Sequence, residues 1–269
     1  MTDEPSGASS PSVRTIRLTI SYDGTAYCGW ETQRNGLAIQ PVVEDALFAI
    51  LRERIAIVGS GRTDAGVHAL GQVASFATTS NLTPRKLRLG MNAVLPRDIS
   101  ILEVAEVPSA FHARFSAVSK TYRYTILNAP ARRPLERHRE YHFPQALDVS
   151  AMQVAAATLV GTHDFRAFAK EAARRRNCVR TILRATVLGQ APRIEIELHG
   201  TGFLYNMVRI ITGTLIEVGL CRRPVTTFTE VLGGKARADA GYTVPPHGLC
   251  LMSVDYPAEL SPFGQITIG

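Results

Sequence analysis

The order of strand and helix patterns along the chain is the feature that most limits its fold. Residues 14–22 alternate between apolar and polar side chains up to Asp23-Gly24, as a half-buried strand does before a turn. The segments that follow predict a helix, two strands, a helix and a strand, at 41–54, 55–58, 72–76, 84–94 and 99–107. This order, β-α-β-β-α-β, is that of a ferredoxin-like unit.

The second half of the chain repeats this order. Its strands are predicted at 121–127, 182–188, 194–198 and 249–254, and its helices at 150–160 and 203–218, with an additional helix at 228–232. We therefore predict an α+β fold of two related ferredoxin-like halves, residues 14–110 and 111–269. Joining their antiparallel sheets edge to edge would remove two exposed sheet edges, with the helices packed on one side and a central basic cleft between the halves.

Charge is the part of the composition that bears on binding partners. Lys and Arg total 30 against 23 Asp and Glu, which gives a net charge of +7 and favours a polyanion such as nucleic acid. Only four of these 30 cations are lysines, so most of the positive charge is guanidinium, which holds phosphate through two parallel hydrogen bonds. Arginine-rich stretches at 132–139 and 174–180 are candidate phosphate contacts, although a solvated loop has the same composition.

Other features of the composition count against metal sites and membranes. The four cysteines show no C-x-x-C spacing, so we predict reduced thiols and no zinc site. Residues 1–13 are polar and rich in Ser, Pro and Gly, and we predict a disordered N-terminal tail rather than a signal peptide. No stretch approaches the roughly 20 apolar residues of a membrane helix. The sequence thus predicts a cytoplasmic protein.

A glycine-rich loop at 59–68 carries the strongest candidate for a catalytic group. It matches neither the dinucleotide-binding motif G-x-G-x-x-G nor the phosphate-binding loop of nucleotide-binding proteins. The loop therefore does not indicate a nucleotide cofactor. Taken alone, Asp64 in this loop is typical of a turn or of a helix cap. The interpretation changes when two unusual arginines are considered, Arg62 beside it in the loop and Arg209 within an apolar helical run.

Arg209 needs either a carboxylate partner or a path for its stem to water if the apolar run is buried. Asp64 is one candidate partner. A carboxylate paired with one or two arginines would remain ionised well below neutral pH, which is the state that a nucleophile requires.

The segment at 120–124 alternates basic and aromatic residues. In a strand, Lys120, Tyr122 and Tyr124 would share one face, and nucleic-acid bases stack on faces of this kind. A strand with its aromatic residues packed into the core would show the same pattern. The pattern alone does not choose between these alternatives.

Taken together, several motifs resemble those of the TruA family of tRNA pseudouridine synthases. In chain order they are Tyr22-Asp23-Gly24 with Gly29-Trp30, the loop at 61–68, 111–116, 122–124, 203–209 and 245–251. The resemblance covers nearly everything beyond the first dozen residues. Two departures lie near the first predicted helix, where Glu31 replaces a frequent glutamine and Pro41-Val42 replaces a common polar pair.

The resemblance implies a cofactor-free and metal-free isomerase that converts uridine to pseudouridine at positions 38, 39 and 40 of the tRNA anticodon stem-loop. It implies that Asp64 is the nucleophile, that Arg209 pairs with it and that Arg62 helps to extrude the target nucleotide. Tyr122 is expected to stack on the base and to accept a proton, and Leu249 to pack beneath the uracil. The expected tRNA contacts are Arg62, Phe111, His112, Ala113, Arg114, Phe115, Arg174, Arg175 and Arg176.

The resemblance also implies a homodimer with tRNA crossing both subunits. Two alternatives remain open from the residues themselves. One is a related pseudouridine synthase with another RNA target, because the nucleophile loop does not specify a position. The other is a non-catalytic RNA-binding module, which the basic clusters alone would support.

Overall fold

The computed structural model describes residues 12–31, 36–170, 177–234 and 236–260, which form one mostly antiparallel sheet of ten strands with five α-helices. The strands are β1 (Arg14–Tyr22), β2 (Val58–Gly59), β3 (His68–Thr78), β4 (Ile99–Val107), β5 (Ser119–Leu127), β6 (Tyr141–His142), β7 (Gly161–Asp164), β8 (Val179–Gln190), β9 (Arg193–Gly200) and β10 (Leu249–Asp255). The helices are α1 (Ile39–Leu51), α2 (Pro84–Val94), α3 (Val149–Ala157), α4 (Met207–Gly219) and α5 (Thr227–Leu232). Apart from Ser12 and Val13, the predicted tail lies outside the described residues.

The first half of the chain forms one end of the sheet. β1 lies between β4 and β3 and pairs antiparallel with both, while the short β2 pairs with β3. Because side chains alternate across a strand, Ile16, Leu18 and Ile20 point to one face, where they are fully buried. Val43 and Leu47 of α1 belong to the same core. The strict alternation in the sequence therefore marks a strand with one face against the core.

The second half of the chain forms the other end. β5 pairs antiparallel with β10 on one side and with β9 on the other, and β8 and β7 continue the sheet. α4 is buried around nearly its whole circumference, as a helix with few polar residues should be. Arg209 is the one charged residue in the first two turns of α4, so its position demands a specific partner.

The two ends of the sheet meet where β3 pairs in parallel with β10, through His68 opposite Cys250 and Ala69 opposite Leu251. His68 Nε2 also lies 3.1 Å from the carbonyl oxygen of His247 in the segment before β10. The end of the glycine-rich loop is therefore held against the second half of the chain.

Predicted and observed elements differ mainly at their ends. The helix predicted from residue 203 begins at Met207 instead, because Asn206 adopts a left-handed conformation with φ 65° that a helix interior does not permit. The strand predicted at 72–76 extends over His68–Thr78. β6 and β7 were not predicted, since two and four residues are too few to show a periodicity. Among the described residues, no helix has the length and apolar character needed to cross a membrane.

Candidate active site

Asp64 lies in the loop between β2 and β3, and its carboxylate contacts an arginine from the other half of the chain. Arg209, in the first turn of α4, donates from Nη1 to Asp64 Oδ2 at 3.3 Å. The two side chains are only 18% and 15% exposed. Arg209 also donates from Nε to the carbonyl of Val244 at 2.8 Å and from Nη1 to Asn206 Oδ1 at 3.1 Å. These contacts fix the guanidinium against the carboxylate.

Burial raises the pKa of the Asp64 carboxyl, and the positive charges of Arg209 and Lys170 offset this only in part. Of the two arginines considered as partners, Arg209 forms the ion pair with Asp64. Arg62 instead forms an ion pair with Glu31, with 2.6 Å between Nη2 and Oε1, and its side chain is 68% exposed. One guanidinium does not outweigh the desolvation of this buried carboxylate, so the net shift of its pKa is upward.

Backbone contacts with the segment after β1 hold the loop that carries Asp64 in place. Trp30 donates its backbone N–H to the Thr63 carbonyl at 3.1 Å, and the N–H of Gly66 donates to the Tyr27 carbonyl at 3.2 Å. Gly29 permits this approach, since a Cβ at that position would lie 2.5 Å from the Thr63 oxygen and its φ is +104°. The chain on either side of Asp64 is thus anchored by hydrogen bonds.

Side chains from β1 and β3 complete the support of the loop. The Tyr22 hydroxyl lies 2.8 Å from Thr63 Oγ1, and the completely buried Gln72 donates to the Gly61 carbonyl at 2.9 Å. Ser60 donates from Oγ to Gln72 Oε1 at 2.6 Å. Sequence reasoning did not predict these supporting residues, because hydrogen bonds to a loop backbone leave no periodic pattern.

Tyr122 lies beside Asp64, and its ring meets Phe203 edge-on at 5.1 Å between centroids. Burial and the nearby Asp64 charge raise the pKa of its phenol. Within the part of the chain that the structure describes, no hydrogen bond is made by its hydroxyl. Leu251 faces Tyr122, and Leu249 faces Tyr124, in the β5–β10 ladder, so these four side chains share one face of the sheet. Tyr122 and Leu249, at 8% and 5% exposed, are thereby neighbours.

The expected RNA-contact segment at 111–115 divides into buried and exposed residues. Phe111 and Ala113 are 4% and 0% exposed and belong to a small core with Val73, so their side chains are closed to RNA. Phe115 is 77% exposed, Arg114 is exposed, and the His112 ring stacks on Phe115 with 4.4 Å between centroids. Within this segment, His112, Arg114 and Phe115 are the residues whose side chains reach the surface.

Three of the residues that the sequence indicated lie outside the described part of the chain, and two residues close to the site were not predicted. Arg174, Arg175 and Arg176 lie outside the described residues. Glu31 was noted only as a departure from a familiar motif, whereas it holds Arg62. Lys170 was not predicted, yet its charge acts on Asp64. Its position before an arginine-rich run was the available signal.

Two cavities lie away from Asp64. One of about 430 Å³ is lined by residues of α4 and α5 together with Arg222, Arg223, Pro224 and Asp239. The other, of about 360 Å³, lies against 141–145, Leu220 and Tyr242. Neither is lined by Asp64 or Arg209, so the candidate site is defined by its residue contacts.

The class of protein follows from comparison with known families. A family model described as tRNA pseudouridine synthase matches residues 18–116 and 155–257. These ranges include Asp64 and Arg209. The chain belongs to this family of tRNA pseudouridine synthases, and it is accordingly an isomerase.

Individual relatives narrow the similarity within the family. The chain is 48% identical to tRNA pseudouridine synthase A of Geobacter sp. (strain M21) over 91% of its length and 100% of the relative. It is also 48% identical to tRNA pseudouridine synthase A of Citrifermentans bemidjiense, over 91% of this chain and 98% of that one. Identity to tRNA pseudouridine synthase A 2 of Clostridium tetani is 45%, over 90% and 99% of the two chains.

Proposed function

We propose that this chain isomerises uridine to pseudouridine in the anticodon stem-loop of tRNA, at positions 38, 39 and 40, with Asp64 as the nucleophile. The observation that carries the proposal is the largely buried Asp64 carboxylate held by Arg209 beside Tyr122. The names of the relatives support tRNA as the substrate. The reaction would take place in the cytoplasm, in a homodimer.

Access of the uracil to Asp64 requires that the target nucleotide leave its stack, which costs a few kcal/mol. Arg62 is suited to occupy the vacated space, because its guanidinium is exposed and lies two residues from Asp64. Arg62 would have to break its ion pair with Glu31 in order to contact the RNA in this way. Tyr122 then supplies an aromatic face for the extruded base.

The chemistry breaks the glycosidic bond, rotates the uracil and rejoins it to the ribose through carbon. One carboxylate suffices, and Asp64 can attack either the base or the ribose. Glycosidases differ because they use two carboxylates and admit water. A synthase must retain the freed base and exclude water, and the apolar side chains of Leu249 and Leu251 suit the floor of such a site.

The proposal extends to the architecture of the sheet. If each half is a ferredoxin-like unit, its strands should lie in the order fourth, first, third, second. The order β4-β1-β3 with β2 paired to β3, and the order β10-β5-β9-β8, both support this. Two such units joined along β3 and β10, with helices on one side, would bring Asp64 of the first unit and Arg209 of the second together in a basic cleft where the units meet.

Mapping of the product tests the function. We expect incubation of unmodified tRNA with the protein to create pseudouridine at positions 38, 39 and 40, detected as carbodiimide-dependent stops of reverse transcription. A tRNA with cytidines at these three positions is the matched control and should remain unmodified. Product confined to another arm of the tRNA would contradict the target, and absence of product would contradict the activity.

Tyr122 provides a test of how the base is handled. Its raised pKa keeps the phenol protonated at neutral pH, so accepting a proton requires it to release its own in the same step. We expect Tyr122→Phe to lower turnover by roughly 100-fold, the range of general acid–base catalysis, without changing RNA affinity. Tyr122→Ala should lower affinity as well, because it removes the stacking face. Single-turnover rates and filter binding measure both, and wild-type turnover in the Phe variant would contradict the proton role.

A further inference from the structure

Lys120, at the start of β5, points its ammonium at the nucleophile loop. Nζ donates to the Ser60 carbonyl at 2.6 Å. It also lies against Gly61, where an added Cβ would be 2.7 Å from Nζ. The ammonium is thus placed within four residues of Asp64 along the loop. An ammonium has three donors, and the contact with Ser60 uses one of them.

A second cation, Arg114, comes from a segment that packs on β3 next to the same loop. The N–H of Ala113 donates to Ser75 Oγ at 3.1 Å, and the N–H of Ser60 donates to the Val73 carbonyl of that strand at 2.7 Å. Burial of Lys120, together with the smaller effect of the positive charge of Arg114, lowers the pKa of the lysine to about 8. Among residues 12–31, 36–170, 177–234 and 236–260, no carboxylate forms an ion pair with Lys120 or with Arg114. Two positive charges held close together without a carboxylate partner raise the free energy of the protein when no RNA is bound. An anion bound between them would lower that free energy.

We propose that Lys120 and Arg114 form a phosphate-binding site beside the nucleophile loop, which grips one backbone phosphate of the RNA near the target uridine. The inference rests on the proposed RNA substrate, and it assigns to Lys120 a role in binding. Arg114 offers a planar fork for two phosphate oxygens, and Lys120 a point charge from the inner side. Arg114 is itself exposed, and its guanidinium carbon lies 5.6 Å from the ring centroid of Phe115, which is 77% exposed.

Neutral phosphates test the site. We would measure the affinity of an anticodon stem-loop series in which one phosphate at a time is a methylphosphonate, which carries no charge. All proteins would carry Asp64→Asn so that turnover does not enter the measurement. In the Asp64→Asn protein that keeps Lys120, a methylphosphonate at one position near the target should weaken binding roughly tenfold. The same substitution should have no further effect in Lys120→Met, and the salt dependence of binding should fall by about one phosphate.

Two further variants make the result specific. Arg114→Met changes an exposed side chain and should abolish the effect of the same methylphosphonate on affinity. Lys86→Met changes an exposed lysine on α2 and should leave that effect at full size. Melting curves verify that each variant is folded. The site is refuted if Lys120→Met and Arg114→Met abolish the methylphosphonate effect at different positions or at none. It is also refuted if Lys120→Met weakens binding without changing its salt dependence, as loss of the hydrogen bond to Ser60 alone would do.

The outcome is separable from that of the proposed function. Pseudouridine formation without coupling between Lys120 and a phosphate would refute the site and leave the function. Coupling between Lys120 and a phosphate, with no pseudouridine formed by the protein that retains Asp64, would refute the function and leave an RNA phosphate site.

Discussion

Asp64→Asn is expected to reduce pseudouridine formation by roughly 10⁴-fold or more while leaving tRNA affinity within about threefold of the wild type. Asparagine keeps the size of the side chain and removes the negative charge that the proposed mechanism requires of the nucleophile. Single-turnover rates and equilibrium binding, measured on the same preparations, separate the two effects. Asp45→Asn, which changes an exposed carboxylate on α1, is the matched control and should retain full activity.

The raised pKa of Asp64 adds a pH dependence with a definite sign. The nucleophile must be ionised, so turnover should fall as the pH drops through this pKa, at a higher pH than an ordinary aspartate would give. Stability follows the opposite course. Because the folded state binds this proton more readily than the unfolded state, the ionised carboxylate destabilises the fold at neutral pH, and acidification relieves that cost.

Asp64→Asn should accordingly melt no lower than the wild type at neutral pH, despite its loss of activity. This result would mark Asp64 as a residue whose burial costs stability and provides function. Substantial turnover in the Asn variant would exclude Asp64 as the nucleophile. A large drop in melting temperature would instead show that the attraction to Arg209 outweighs desolvation.

Local elements were predicted well where the sequence carries complete local signals. α2 has the predicted bounds, because Thr83 accepts a hydrogen bond from the Lys86 backbone as a cap, Pro84 follows it, and Leu87 and Met91 are buried at helical spacing. α4 was predicted four residues too long at its start. Its apolar composition continues upstream, and only the backbone conformation of Asn206 ends the helix.

The candidate site depends on contacts that local patterns do not encode. Asp64 and Arg209 are 145 positions apart, and the burial of Arg209 signalled only that some partner was needed. Resemblance to known motifs supplied the identity of the partner. The pairing of Arg62 with Glu31 was missed because it depends on how the segment after β1 crosses the loop. Phe111 and Ala113 were expected to contact tRNA, but packing against Val73 and Tyr256 buries their side chains.

Removing the partner of Asp64 is the second large effect that we expect. Arg209→Met keeps an apolar stem of similar length in the first turn of α4 and deletes the charge that offsets the burial of Asp64. The pKa of Asp64 should rise further and its carboxylate should lose the guanidinium that positions it, so we expect turnover at neutral pH to fall by roughly 100-fold from the two effects together. The melting temperature should fall less than for a typical broken buried ion pair, since Asp64 can take up a proton.

The pH profile distinguishes this electrostatic role of Arg209 from a purely structural one. If Arg209 acts on the charge of Asp64, the acid limb of turnover moves to higher pH in Arg209→Met, and raising the pH recovers part of the activity. Arg209→Lys, which keeps the charge but loses the fork that joins Val244 and Asp64, should lie between the wild type and Arg209→Met. A loss of turnover that is equal at every pH would mean that Arg209 only holds the two halves of the chain in register. Nε is fixed by Val244, and Nη1 by both Asn206 and Asp64. We therefore expect Arg209→Met to lose both the charge effect and the positioning effect, and Arg209→Lys to lose the positioning effect alone.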